Sequence, residues 1–247
     1  MATLRTQRRG SQAGITLVEL LVSVIILAII STMLVTVWIN LQRASATSVR
    51  TSNARTTARD AMSRISSELR GAQPTALPSP APSPTVQPPV TTAAPMEVCF
   101  NSAFNLPGAN ADGSGVSALR PTRIWLDTAT VPPSPWNPNA RTLYWQRDMD
   151  GNGSFSDAGD RSIVLARNVA NLLVPDTLNG SPYTPVFRYA YRDASGGVLW
   201  TDNADSSLDL ASVVAVSVRL IIDKNMGGEP SYVDLTTTVR LRNASAD

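Results

Sequence analysis

From Leu20 to Ile39 the chain runs through twenty residues without a charge, LLVSVIILAIISTMLVTVWI. At about 1.5 Å per residue, a helix of that length crosses the ~30 Å hydrocarbon core of a bilayer. The apolar region of a secretory signal is usually only about 7–15 residues and ends at a small-residue cleavage site, an ending this run lacks. Beyond it the pattern changes. Residues 43–70 contain no proline or glycine, and Ala54, Ala58, Ala61, Met62, Ile65 and Leu69 fall on one helical face. This spacing predicts that the membrane helix continues as an amphipathic half that packs on a sheet and ends near Gly71 and Pro74. Arg59, Arg64 and Arg70 lie outside the stripe and read as a solvated face.

Residues 74–95, PTALPSPAPSPTVQPPVTTAAP, are low-complexity and proline-rich. Such a stretch buries too little apolar area to offset its ordering entropy, so it is expected as an exposed, partly extended loop. After it, β-type runs recur at Arg123–Leu126, Thr142–Gln146, Ile163–Ala166, Val186–Tyr191, Val213–Ile222 and Tyr232–Leu241, with turn-rich stretches between them. One long helix followed by mostly antiparallel strands is an α+β arrangement. The expected segments are a leader over 1–14, a membrane helix over 15–41, a stalk helix over 42–73, the proline-rich loop over 74–95 and a β-rich head over 96–247.

Composition narrows the chemistry. The chain has no histidine, which excludes Ser-His-Asp, Cys-His and histidine-ligated zinc sites. Its one cysteine, Cys99, cannot form an intramolecular disulfide and reads as a small buried hydrophobe. The formal charge of +2 is misleading, because Arg5, Arg8 and Arg9 all precede residue 10. Without them 18 basic residues stand against 19 acidic ones, and residues 71–247 carry 12 basic and 16 acidic side chains. The head therefore lacks the positive field that drives non-specific nucleic-acid binding. The leading arginines stay cytoplasmic by the positive-inside rule, so the head is expected outside, with the chain anchored once in a membrane.

Glu19 sits one residue before the uninterrupted apolar run, where a carboxylate is costly unless it reaches the interface or finds a partner. By position alone it either marks the membrane boundary or calls for another explanation. Gly14-Ile15-Thr16-Leu17-Val18-Glu19-Leu20-Leu21-Val22 resembles the prepilin processing motif of type IV pilins and type II secretion pseudopilins. In that family a short basic leader ends in glycine and the fifth mature residue is glutamate. The resemblance implies cleavage after Gly14 by a prepilin peptidase, with Ile15 as a new, methylated N-terminus, where the family more often has Phe. It also implies that Glu19 pairs with the amine of a neighbouring subunit's Ile15 when helices stack into a filament. A carboxylate among apolar helices is tolerable only with such a partner.

In the head, Arg64-Ile65-Ser66-Ser67-Glu68-Leu69-Arg70, Val164-Leu165-Ala166-Arg167-Asn168-Val169, Phe187-Arg188-Tyr189 and Val239-Arg240-Leu241-Arg242-Asn243 resemble PilW-type minor pilins and J-type minor pseudopilins. Partners on that reading are the prepilin peptidase, other pilins or pseudopilins, and the inner membrane before assembly, in a type IV pilus or type II secretion-like filament. The chain is expected to be structural rather than an enzyme. The rival reading is a pilus-tip receptor for DNA or a secretion substrate, which the acidic head disfavours.

Asp148-Met149-Asp150-Gly151-Asn152-Gly153 places oxygen side chains at alternate positions before a turn, and Asp157 or Asp160 could close a shell around a hard cation. Gly159 stands where an EF-hand would have its bidentate glutamate. The segment is either a calcium loop or an Asp/Asn/Gly-rich hairpin turn between Thr142–Gln146 and Ile163–Ala166. No cofactor is otherwise required.

Overall fold

Helix α1 runs from Leu17 to Arg70 in the computed structural model, which describes residues 16–76, 86–102, 119–127, 142–150, 152–177, 179–202, 209–224 and 231–241. The chain divides into two compact units, Met1–Val49 and Arg50–Asp247, and α1 contributes to both.

In the first unit the side chains from Thr16 to Val49 are all exposed, although most of those between Leu20 and Ile39 are apolar. The hydroxyls of Ser23, Thr32 and Thr36 donate to the carbonyls of Glu19, Ala28 and Thr32, four residues back in each case. Their polarity is thus absorbed within the helix, as a hydrocarbon surrounding demands. An apolar surface of this size needs lipid or other apolar helices to cover it.

The second unit opens with the amphipathic half of α1. Ala54, Ala58, Ala61, Met62, Ile65 and Leu69 are buried, as their spacing predicts, and so are Ser66 and Glu68. After Arg70 the N–H groups of Gly71 and Ala72 close back on carbonyls of the last turn, and the helix stops. A two-residue ladder joins β1 (Thr75–Ala76) to β2 (Val86–Gln87). Strands β3 (Val90–Ala94), β4 (Glu97–Ser102), β5 (Arg120–Leu126), β6 (Leu143–Arg147) and β7 (Arg161–Ala166) follow, each antiparallel to the one before, in a sheet of that same order. Then β8 (Phe187–Arg192), β9 (Val198–Thr201), β10 (Val213–Asp223) and β11 (Tyr232–Arg240) form a second antiparallel sheet ordered β11-β10-β8-β9. The result is the α+β, pilin-like arrangement expected.

The stretch 74–95 is not loop throughout. It contains β3, with Val90 and Ala93 buried against the core. Pro88 and Pro89 already hold the chain extended, and β-branched Val90, Thr91 and Thr92 suit a strand, so pairing with β4 overrides the bulk composition.

One core joins the helical stripe to both sheets, through Phe100, Ile124 and Trp145 of the first and Phe187, Tyr189 and Val218 of the second. The hydroxyl of fully buried Tyr189 on β8 accepts the Ala94 N–H at 3.1 Å and faces the carbonyls of Ala94 and Glu97, each at 2.9 Å, so it ties the second sheet to the β3–β4 turn of the first. Beyond Phe187, where β8 begins opposite Val218, the buried Asn171 side chain takes over, accepting the Ile221 N–H and donating to the Arg219 carbonyl, both at 2.9 Å.

Candidate functional site

The described chain begins just inside the processing motif, so Gly14 and Ile15 lie outside the described residues. Thr16 precedes α1 as its cap: its Oγ1 accepts the Glu19 N–H at 3.3 Å, and its carbonyl takes the Leu20 N–H at 3.1 Å. Thr16-Leu17-Val18-Glu19 is the Thr-x-x-Glu spacing of a capping box, a signal readable in the sequence. Glu19 is exposed in the first turn, where the helix dipole favours a negative charge. Its position thus has a local reason within one chain, and its carboxylate is open to a second chain.

The second candidate is the hairpin loop between β6 and β7, which pair antiparallel from Leu143–Ala166 to Arg147–Arg161. Asp148 is buried at the end of β6, Asp160 is half-buried just before β7, and Asp150 is exposed. One carboxylate oxygen from each lies within 4.8 Å of the other two. Calcium binds oxygens at about 2.3–2.6 Å, so its ligands sit no more than about twice that distance apart, and these three fit. The loop is preorganised by the same groups. Asp148 Oδ2 accepts the Gly153 N–H at 2.7 Å, and Asp160 accepts the N–H groups of Met149 at 3.0 Å and Asp157 at 2.9 Å. Gly153 has φ +86°, a conformation other residues adopt only with strain. Asn152 and Asp157 stand outside the trio. The Asn152 amide donates to Asp150 at 2.9 Å and to Asp157 at 2.6 Å, while its oxygen takes the Ser154 N–H at 2.7 Å. Of the five residues singled out in the sequence, the structure therefore brings Asp148, Asp150 and Asp160 together as carboxylates and uses Asn152 and Asp157 to hold the loop.

Cys99 is buried, as expected, with Sγ 3.4 Å from Glu97 Oε1. Burial, reinforced by the Glu97 charge, pushes its pKa up to about 12, so the sulfur stays a protonated thiol. Sequence reasoning missed a buried polar cluster behind the helix. Glu68, Arg147, Ser102 and Thr122 are linked in the interior, and Arg64 lies over the ring of Trp145 at 4.8 Å instead of standing free in solvent. Arg59 and Arg70 are exposed, as the helical face predicts.

Residues 9–35 match the prokaryotic N-terminal methylation motif. The match takes in the glycine, the glutamate and most of the apolar run, and it supports a type IV pilin-like or pseudopilin-type protein, a substrate of prepilin peptidase that assembles with other pilins. No curated protein matches the chain.

Proposed function

We propose that this protein is a structural filament subunit, a minor pilin or minor pseudopilin of PilW or J type, anchored once in the inner membrane with its head outside. Prepilin peptidase cuts it after Gly14, and its N-terminal helix then carries it into the filament. The observation behind this reading is the pairing of a methylation motif with an exposed helix whose chargeless stretch begins directly after Glu19. In the bilayer, lipid covers that helix; in a filament, neighbouring helices do. Glu19 is the one acidic group at its head, and an adjacent subunit's Ile15 amine is the partner that makes its burial tolerable. The chain's role is to pack and register, without chemistry of its own. Co-expression with a prepilin peptidase should give a product that starts at Ile15, and Gly14→Leu should block it. Cleavage elsewhere, for instance after Ala28, would overturn the assignment.

A calcium role for the β6–β7 loop rests on a separate observation, the convergence of Asp148, Asp150 and Asp160. Those three carboxylates would hold the ion, with Asn152 and Asp157 holding the loop. The ion would neutralise three negative charges and stiffen the hairpin, with an affinity in the extracellular range of about 10⁻⁴–10⁻³ M because no bidentate glutamate closes the shell.

A further inference from the structure

The four-stranded sheet sends Phe187, Tyr189, Val216 and Val218 into the core and shows its other face outward. On the outer face one row runs in register across all four strands: Trp200 on β9, Ala190 on β8, Ala215 on β10 and Arg240 on β11. Two alanines between two long side chains leave a groove of about 340 Å³, lined also by Val214, the extra residue of a β-bulge, and by Leu241. In the next row Arg192 stands opposite Val198. No acidic residue lines the groove, and neither Arg192 nor Arg240 is paired with a carboxylate among the described residues. Asp193, the acid nearest to Arg192 in sequence, is committed to the β8–β9 turn, where its Oδ1 accepts the N–H groups of Ser195 and Gly197 and the Ser195 hydroxyl.

Strand β9 forms the edge of this sheet, and three consecutive large apolar residues on it, Val198, Leu199 and Trp200, are 55%, 47% and 46% exposed. Edge strands are ordinarily guarded by lysine, proline, a bulge or a covering segment. Val198–Thr201 carries neither lysine nor proline, no bulge interrupts its pairing with β8, and no strand covers its outer edge among the described residues.

We propose that β9 accepts an extended acidic segment of a neighbouring filament subunit as a fifth strand, an inference that rests on the filament reading above. Main-chain hydrogen bonds to the edge at Val198–Trp200 would supply affinity, and the outer face would supply selectivity. Strands lie about 4.8 Å apart, so a residue added in the Arg192–Val198 row has its backbone roughly 10 Å from that of Arg192, within the combined reach of an arginine and a glutamate. Two residues along on the same face, the occupant meets Trp200 and the alanine-floored groove, which suits a large apolar side chain. The segment therefore carries a carboxylate and, two positions away, an apolar residue.

The probe is the seven-residue peptide Thr-Glu-Thr-Leu-Thr-Glu-Thr, whose symmetric face fits either strand direction, with Thr-Lys-Thr-Leu-Thr-Lys-Thr as its charge-reversed counterpart. Added to the full chain in detergent micelles, the acidic peptide should slow amide hydrogen exchange at 198–201 at least tenfold and leave β11, the opposite edge, unchanged. Arg192→Glu should transfer the preference to the lysine peptide. Trp200→Ala, a change at an exposed side chain, should weaken binding about tenfold with no change in Tm. Absence of slowing at 198–201, or equal slowing by both peptides, overturns the proposal. A chain cleaved after Gly14 whose β9 gains no protection keeps the filament reading and loses the added strand. A chain protected at β9 but not cleaved after Gly14 loses the filament neighbour as occupant, which also overturns the proposal as stated.

Discussion

Glu68 of α1 and Arg147 of β6 are 79 residues apart in sequence, yet Glu68 Oε2 lies 2.6 Å from Arg147 Nη2, with both side chains at least nine-tenths buried. Ser102 donates to the same carboxylate oxygen at 3.3 Å, and Arg147 Nε donates to Thr122 Oγ1 at 3.2 Å. The pair joins helix to sheet in the interior, where each charge depends on the other.

Removing one partner is therefore expected to cost far more than the loss of a surface ion pair. Glu68→Ala strands a buried guanidinium and should destabilise the protein by roughly 3–5 kcal/mol. Glu68→Leu combined with Arg147→Met should recover most of that loss, since an apolar pair of similar volume needs no counter-charge. Thermal melts of the three variants in micelles check both outcomes.

Burial raises the Glu68 pKa above its ordinary 4.5, while Arg147, Ser102 and Arg64 pull it partly back. The folded protein then holds this proton more tightly than the unfolded chain does. The group's contribution to stability is full below pH 4.5 and falls as pH rises through the raised folded value. The stability of the unmutated protein, measured relative to Glu68→Gln, should decline with rising pH in that window and then level off. A rise instead would mean that Arg147 outweighs burial.

Tyr189→Phe should destabilise by roughly 1–3 kcal/mol, because it leaves the Ala94 N–H without its acceptor between the sheets. Denaturant titration should show a lower midpoint with an unchanged slope. An unchanged midpoint would show that the backbone there finds another partner.

With a dissociation constant of about 10⁻⁴–10⁻³ M, calcium at about 1 mM should add roughly 0.4–1.4 kcal/mol. The full chain should melt higher in millimolar calcium than in chelator, and Asp148→Ala with Asp150→Ala should remove the difference. Identical melting of the unmutated protein in both conditions would leave the loop as a hairpin turn held by its own hydrogen bonds.

Glu19→Ala should leave membrane insertion intact, since losing a charge makes the apolar segment more favourable in lipid. Filament incorporation should fall by about ten- to hundredfold, the equivalent of one charge-assisted bond of roughly 1.5–3 kcal/mol. Fractionation of membranes and sheared filaments separates the two effects. Equal incorporation of variant and unmutated chains would rule out the pairing role.

The elements legible in the sequence were those whose burial follows a period. The stripe from Ala54 to Leu69 and the alternating strands β5 and β6 each bury one face, and the pattern shows it. Strand β4 escaped because Val98 to Ser102 are buried in succession with no alternation, and β9 because it spans only four residues, three of them exposed. Strand β3 was hidden by the prolines before it. Glu68 looked like an ordinary surface charge on a helix, since nothing near it in the chain announces Arg147. The acidic loop was legible because its ligand spacing is local, although only the fold distinguishes Asp160 from Asp157.

Two guanidinium groups lie over the Trp145 ring, that of Arg64 from the helix at 4.8 Å and that of Arg147 from its own sheet at 4.9 Å, and the indole Nε1 has no acceptor among the described residues. A buried indole in contact with two cations, one from the helix and one from the sheet, has an emission colour set by both. When the helix lifts from the sheet, one cation leaves and water enters, and the fluorescence shifts to the red. With the other four tryptophans replaced by phenylalanine, the seam carries its own optical gauge, able to report whether the stalk and head are still joined.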